Sequence, residues 1–413
     1  MKKHLIGIGG VGMSALATAL IRQGDTVTGA DRTLGTPNIR FLESLGVRVF
    51  PDDGSGVDGA TDEVVVSTAI EETNAGLRKA KELGIPVTHR AKALARTLNG
   101  YKLVAVVGTC GKSTVTAMLG HVLAECGLDP ICVNGANVPG WEGAVRFGRG
   151  EYAVAEVDES DKSLVAFKPY AAVVTNASAD HYSKEEMDEV FDAFVKDCPG
   201  PVIDGRADGN AGCEAEDAWA TPLPGRHNRQ NAALAARMAL ALGCKADDVR
   251  RALLSFRGVE RRLQRIAPTA VRPGAPAVYD DYAHNPEKLK AMWTTLAEHY
   301  PQGICVVWRP HGYAPLRKMM DALAAMFVET IRPQDALLLL PVYDAGGTTD
   351  RSVNSDALAA KMAAGGERRC FLVADLEAAY AWCAARRNDF GALVTCGARD
   401  PGLPALAKRL SEM

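Results

Sequence analysis

With 413 residues the chain exceeds what one hydrophobic core holds and predicts about two to four domains. Its 47% hydrophobic and 23% charged content is that of an ordinary globular protein. A balance of 47 basic against 50 acidic residues leaves a net charge of −3, which excludes nucleic acid as an electrostatic partner and makes any phosphate binding local. The ten cysteines are scattered without a C-x-x-C pair, against both structural zinc and a disulfide framework, so a reducing cytoplasmic setting is expected.

The N-terminus, MKKHLIGIGGVGMSALATAL, imitates a signal peptide in outline. A strand ending in G-x-G-x-x-G, followed by a helix from Met13 to Gln23, accounts for it better. No run approaches the roughly 18 apolar residues of a membrane span, so no membrane partner is expected. Residues 1–98 then alternate strand and helix: TVTGAD, a helix around Phe41 to Leu45, VRVF, EVVVSTAI, a helix from Asn74 to Leu83, and IPVTH. This pattern predicts a Rossmann-like α/β domain. Asn99 to Lys102 reads as a linker.

Residues 99–262 form the second predicted domain, a central P-loop-type α/β unit. It opens on LVAVVGTCGKSTVT, an apolar β-branched strand, a glycine turn and a helix start. Gly108 and Gly111 let the backbone close around a polyphosphate, and the amides at a helix N-terminus bind anions. Thr109 lies within the turn; Lys112 supplies a point charge, and Ser113 or Thr114 a hydroxyl for Mg²⁺. Val106 stands where the strict GxxxxGK[ST] pattern has its first glycine. Cys110 reads as a small filler rather than a reactive thiol. The strand YAVAEV delivers Glu156 and a run of acids to the strand end where ligands collect in open α/β sheets. AAVVTNA runs on to Asp180 and His181, an imidazole able to complete a metal's coordination. A helix is expected from Lys184 to Lys196, and another from near His227 that carries Asn228 and Asn231. Residues 204–224 look like a truncated connection.

Residues 263–413 supply AVYDDYAHN, GICVVWRPH, ALLLLPV, CFLVA and ALVTCGA as strands, with helices such as Lys318 to Val328 between them, and predict a second Rossmann-like α/β domain. Asp280, Asp281, His284, Arg309 and His311 stand at the ends of its first two strands.

Taken in order, GIGGVGMS at Gly7 to Ser14, VVVSTAIEETN, GIPVTHRAKALA, VAEVDESDKS, VVTNASADH, GRHNRQNAALA, FRGVERR and DDYAHNP resemble the Mur ligases of peptidoglycan assembly nearly end to end, and above all their alanine-adding branch. The resemblance implies an ATP- and Mg²⁺-dependent carboxylate–amine ligase, a monomer or homodimer, that joins an amino acid to the lactyl carboxylate of UDP-N-acetylmuramate. It gives the N-terminal loop (Gly9, Gly10, Val11, Gly12, with Asp31 nearby) to the UDP-sugar rather than to NAD. It gives Gly108, Thr109, Gly111, Lys112, Ser113 and Thr114 to ATP and Mg²⁺, Glu156 and His181 to metal, and Asn228 and Asn231 to adenine. Arg262 and Asp280 or Asp281 would close over ATP. Lys112, Glu156 and His181 would carry the catalysis; His284, His311 and Arg317 would lie on the acceptor side.

Three departures concern mainly the acceptor. The family's PHRYxRxR cluster is Pro310-His311-Gly312-Tyr313-Ala314-Pro315-Leu316-Arg317 here, so that Arg317 or Arg309 is expected to take over a carboxylate. The stretch from His181 to His227 is short, and DDYAHNP replaces DDYGHHP. Other readings stay open: a ligase for a recycled peptide or another amine, a nucleotide-binding protein without ligation, and a dinucleotide oxidoreductase.

Overall fold

Three open α/β sheets carry the chain, as the alternation of strand and helix predicts. In the computed structural model the described residues are 1–158, 163–177, 184–206, 219–269, 274–344, 350–398 and 400–413. They group into two compact units, residues 1–223 with 227–259, and 224–226 with 260–413.

The first sheet comprises β1 (Lys2–Ile6), β2 (Thr26–Asp31), β3 (Arg48–Pro51), β4 (Glu63–Val66) and β5 (Val87–His89), in the order β3-β2-β1-β4-β5. All its pairs are parallel. Its first crossover helix, Val11–Arg22, buries Met13 to Leu20 without interruption. The helix expected around Phe41 to Leu45 runs from Pro37 to Ser44 instead. Thr36 caps it by accepting the Ile39 amide at 3.3 Å, and Pro37 occupies its first turn.

The second sheet comprises β6 (Lys102–Val107), β7 (Ile131–Val133), β8 (Val145–Arg146), β9 (Tyr152–Glu156), β10 (Ala171–Val174) and β11 (Val202–Asp204), in the order β11-β10-β6-β9-β7-β8. Among the described strands only the short β7–β8 pair is antiparallel. Strand β6 is central and fully apolar from Leu103 to Val107, the composition of a strand covered on both faces. The helices Lys112–Glu125, Arg226–Ala241 and Ala246–Ser255 pack on one face through Val115, Met118, Leu119, Ala235, Met238 and Leu253. The other face shares a core with the first sheet's helices, Leu16 and Leu94 clustering with Ala105 and Val107. Arg22 and Glu142 form an ion pair at 2.5 Å between the same two α/β layers.

The other compact unit holds the third sheet, built from β12 (Gln264–Ile266), β13 (Ala277–Asp281), β14 (Ile304–Trp308), β15 (Ala336–Leu339), β16 (Cys370–Leu372) and β17 (Ala392–Cys396), in the order β12-β13-β17-β14-β15-β16. β12 is the antiparallel edge. Trp293, Trp308 and Phe327 fill its core by edge and tilted ring contacts. The helix expected over Lys318 to Val328 is longer, Tyr313–Thr330.

Candidate nucleotide and acceptor sites

The register of the second sheet determines what surrounds the glycine turn. Val106 on β6 pairs with Glu156 on β9, and Val107 pairs with Val174 on β10. The turn that leaves β6 therefore emerges between the end of the acidic strand and the residues Thr175 and Asn176. Gly108 (φ +131°) and Gly111 (φ +84°) adopt backbone that other residues rarely take. A β-carbon on Gly108 would lie 2.1 Å from Thr175 Oγ1, and one on Gly111 2.7 Å from Asn231 Oδ1.

The helix Lys112–Glu125 starts directly after Gly111, and no side chain caps its first turn. No acid in that turn offsets the positive end of the helix, a setting that favours an anion. Lys112 is half-buried and donates from Nζ to the Gly108 carbonyl at 2.6 Å, curling over the turn where phosphates would lie. Thr109, Ser113 and Thr114 are buried beside it.

Glu156 stands at the end of β9 with Oε2 accepting the Gly135 amide at 2.7 Å. One oxygen is held by backbone, and carboxylate and hydroxyl oxygens such as those of Glu156 and Ser113 are the donor types a hard cation such as Mg²⁺ takes. His181, the other expected metal ligand, lies outside the described residues, as do Glu159 and Asp161. Asn228 and Asn231 are buried on the helix Arg226–Ala241. The sequence assigned both amides to adenine; the structure sets Asn231 against Gly111, at the floor of the phosphate turn.

Asn176 was not singled out from sequence. Its Oδ1 accepts the Thr109 hydroxyl at 2.7 Å and the Cys110 amide at 2.9 Å, while its Nδ2 donates to the Cys110 carbonyl at 2.9 Å. Thr175 donates to the same carbonyl at 2.6 Å. The only available signal was polar residues directly after an apolar strand.

At the N-terminal loop, Asp31 grips the glycines. Its Oδ2 accepts the Gly9 amide at 2.8 Å and its Oδ1 the Thr33 amide at 3.0 Å, while Asn38 donates to the Gly9 carbonyl at 2.9 Å. Gly10 precedes the helix Val11–Arg22, whose first turn has no acid and no side-chain cap. Gly12 packs against the Arg90 guanidinium, 3.2 Å from where a β-carbon would stand. The loop therefore offers amides and a cation to an anionic group, as a UDP pyrophosphate needs.

Arg262, Asp280 and Asp281, the residues expected to close over ATP, lie at and just before the first strands of the third sheet. Asp280 is fully buried on β13 and spends its oxygens on Arg261 Nε (3.0 Å) and the Thr395 hydroxyl (2.7 Å). Burial pushes its carboxyl up to about 6 despite the neighbouring guanidinium. Asp281 accepts the Leu263 and Ala283 amides at 2.6 and 2.7 Å. Both carboxylates are hydrogen-bonded within the chain and brace the segment around Arg262. Arg261 (φ +58°) and Leu263 (φ +45°) hold strained left-handed backbone on either side of it. Arg262 itself lies over the Tyr282 ring at 4.8 Å. Tyr282 meets His284 edge-on at 5.5 Å, and His284 meets His311 at 4.8 Å, giving a continuous aromatic wall. His284 lies 2.9 Å from the Tyr282 carbonyl through Nδ1, which makes that nitrogen the donor and leaves the lone pair on Nε2. Burial holds its pKa down to about 4, so the ring is neutral.

Arg309 and Arg317, expected to take over a substrate carboxylate, are each ion-paired within the chain. Arg309 pairs with the buried Asp400 at 2.5 Å, and Arg317 pairs with Asp350 at 2.7 Å while also donating to Ser352 Oγ at 3.2 Å. Each guanidinium already neutralises an acid of this chain.

Residues 2–102 match the model of the Mur ligase family, catalytic domain, and residues 261–399 that of the Mur ligase, glutamate ligase domain. A UDP-N-acetylmuramate–L-alanine ligase of Halorhodospira halophila is 35% identical over 97% of this chain and 92% of its own length. The chain belongs to the Mur ligase family. A similarly named ligase of Sinorhizobium medicae is 32% identical to this Mur ligase over 99% of the chain and 97% of the relative. The solved UDP-N-acetylmuramate–alanine ligase of Thermotoga maritima superposes with a TM-score of 0.82 at 24% identity, covering 99% of this chain and 98% of that one. That likeness establishes the three-domain Mur ligase fold. A murein peptide ligase from Psychrobacter arcticus follows with a TM-score of 0.68 at 18% identity, over 100% and 99% of the two chains.

Proposed function

We propose that this Mur ligase is a UDP-N-acetylmuramate–L-alanine ligase that couples ATP cleavage to amide formation. The observation that carries the reading is full-length similarity to ligases of that name in a chain whose phosphate turn is complete from Gly108 to Thr114. The lactyl carboxylate attacks the γ-phosphorus, ADP leaves, and the amine then attacks the acyl phosphate and expels phosphate. An anion approaching a triphosphate is the main barrier, so positive charge and oriented amides carry the rate.

Lys112 and the first-turn amides after Gly111 hold the β- and γ-phosphates in this reading. Ser113 and Glu156 hold Mg²⁺, which when bound spreads the charge of the transferring phosphoryl group. Gly9 to Gly12 and Arg90 hold the pyrophosphate of the UDP-sugar, and His284 and His311 line the acceptor side. Described helices include none long and apolar enough to cross a membrane, which accords with small polar substrates.

The test is ADP release with UDP-N-acetylmuramate as acyl donor over a panel of amino acids. Turnover with L-alanine is expected; no turnover with any amino acid overturns the reading. A second reading, a different amine acceptor, is favoured by the ion pairs of Arg309 and Arg317 and would show as turnover that prefers another amine.

A further inference from the structure

We infer that Asn176 is a positioning residue for phosphoryl transfer: its carboxamide clasps the Cys110 peptide from the end of β10 and so sets the shape of the phosphate turn. The inference rests on the reading of Gly108 to Thr114 as the ATP site. A long glycine-rich loop shapes itself through consecutive glycines and its own amides. Here Val106 occupies the first glycine's place and is buried in β6, so only Thr109 and Cys110 separate the two glycines that bend. Such a short turn must be held from outside.

Asn176 does this in the manner of a neighbouring strand. Cys110 donates its amide to Oδ1 at 2.9 Å, and Nδ2 donates to the Cys110 carbonyl at 2.9 Å, so that one side chain pairs both backbone polar groups of Cys110 and braces the two peptide units that meet there. The Thr109 hydroxyl adds a bond to Oδ1 at 2.7 Å, and the Thr109 amide reaches the Asn176 carbonyl at 3.3 Å. Thr175 supplies a hydroxyl bond to the Cys110 carbonyl at 2.6 Å. The Cys110 amide is thus committed to Asn176, and the helix Lys112–Glu125 starts directly after Gly111 with no side-chain cap while the Lys112 ammonium bonds back to the Gly108 carbonyl. Asn231 closes the opposite side against Gly111.

The pattern of donors and acceptors specifies the residue type. An aspartate in the same shape keeps the acceptor for Cys110 and Thr109 but loses the donor to the Cys110 carbonyl, and sets a negative charge beside phosphates. Alanine loses all the side-chain bonds. Asn176 touches no phosphate in this arrangement; it acts through the turn.

The experiment measures steady-state constants and calorimetric affinities of the full chain, wild type against Asn176→Ala and Asn176→Asp, with ATP and adenosine as separate probes. Expected are a rise of at least tenfold in KM for ATP and a fall of at least tenfold in kcat. Adenosine affinity and KM for UDP-N-acetylmuramate should stay within twofold. ATP constants within twofold of wild type overturn the proposal, as does equal weakening of ATP and adenosine, which a merely structural role would give. Should Asn176→Ala lose its fold by circular dichroism, the isosteric Asn176→Asp carries the test alone. A wild-type chain that binds no ATP overturns the ATP reading itself, a result distinct from loss confined to the variants.

Discussion

Lys112 and Glu156 approach the same sheet edge with opposite charges and are expected to fail in different ways when changed. Lys112→Ala removes the cation that curls over the turn, and ADP release should drop by roughly a thousandfold, as charge-stabilising groups of this kind contribute several kcal/mol. Glu156→Gln keeps an oxygen for the Gly135 amide but discards the charge. Its kcat should recover partly as Mg²⁺ is raised, with a half-saturating Mg²⁺ concentration at least tenfold above wild type; a Mg²⁺ titration identical to wild type would remove Glu156 from the cation site. Gly108→Ala meets Thr175 Oγ1 at 2.1 Å and needs φ near +131°, so it should lose ATP-dependent turnover while the UDP-sugar still protects the chain from heat. The glycines, Lys112 and Glu156 were legible in sequence because each announces itself locally, by turn chemistry or by an acid after an apolar strand. Asn176 was not, since its partners lie more than sixty positions earlier and only the pairing of β10 with β6 brings them together.

At the scale of elements, the long buried strands were legible, as were the short edge strands β5 and β16 within IPVTH and CFLVA, and four other short ones were not. LVAVV, YAVAE and the strands of the third sheet read as runs because both of their faces are covered. β7, β8, β11 and β12 have two or three residues each at or near sheet edges, too short for any period to register. Strand order is a tertiary property, and with it the surroundings of Asp280 escaped the sequence: a carboxylate at a strand end reads as a ligand group, and β17 alongside supplies Thr395 and buries it. The same sheet edge yields a prediction about the acceptor. A charge-assisted clamp on a carboxylate is worth about 1.5–3 kcal/mol, roughly 10- to 150-fold in selectivity. With Arg309 and Arg317 committed to Asp400 and Asp350, L-alaninamide should be used with a kcat/KM within about tenfold of L-alanine. A preference for the free acid beyond a hundredfold would mean that a cation does read the carboxylate.

For the whole molecule, buried titratable groups are divided unequally between the two compact units, and acid should therefore unfold them unequally. His4 on β1 is buried and held down to about 4 by burial and by the nearby Lys2, and burial lowers His121 and His227 as well. A histidine kept neutral in the fold but free to protonate near 6.5 when unfolded contributes stability above that value and loses it as pH falls toward 4. For His4 that loss is on the order of 3 kcal/mol. His284 does the same in the other unit, by a similar amount. There, however, Asp280 has the opposite sign: it keeps its proton in the fold up to about 6 and gives it up near 3.8 when unfolded, so acidification returns stability between 6 and 4, and Asp281 is pushed the same way. The ion-paired Asp25, Asp204 and Asp335 are held below their ordinary value and stay charged throughout this window. The histidine loss and the aspartate gain roughly offset in the unit of residues 260–413, while among the described residues of the unit of residues 1–223 no carboxyl is raised to compensate. Hydrogen exchange at pH 7 and pH 4.5, corrected for intrinsic rates, should show β1 and β6 losing protection first while β13 and β14 retain theirs. Simultaneous loss in both units, or earlier loss at β13, would refute this division of charge.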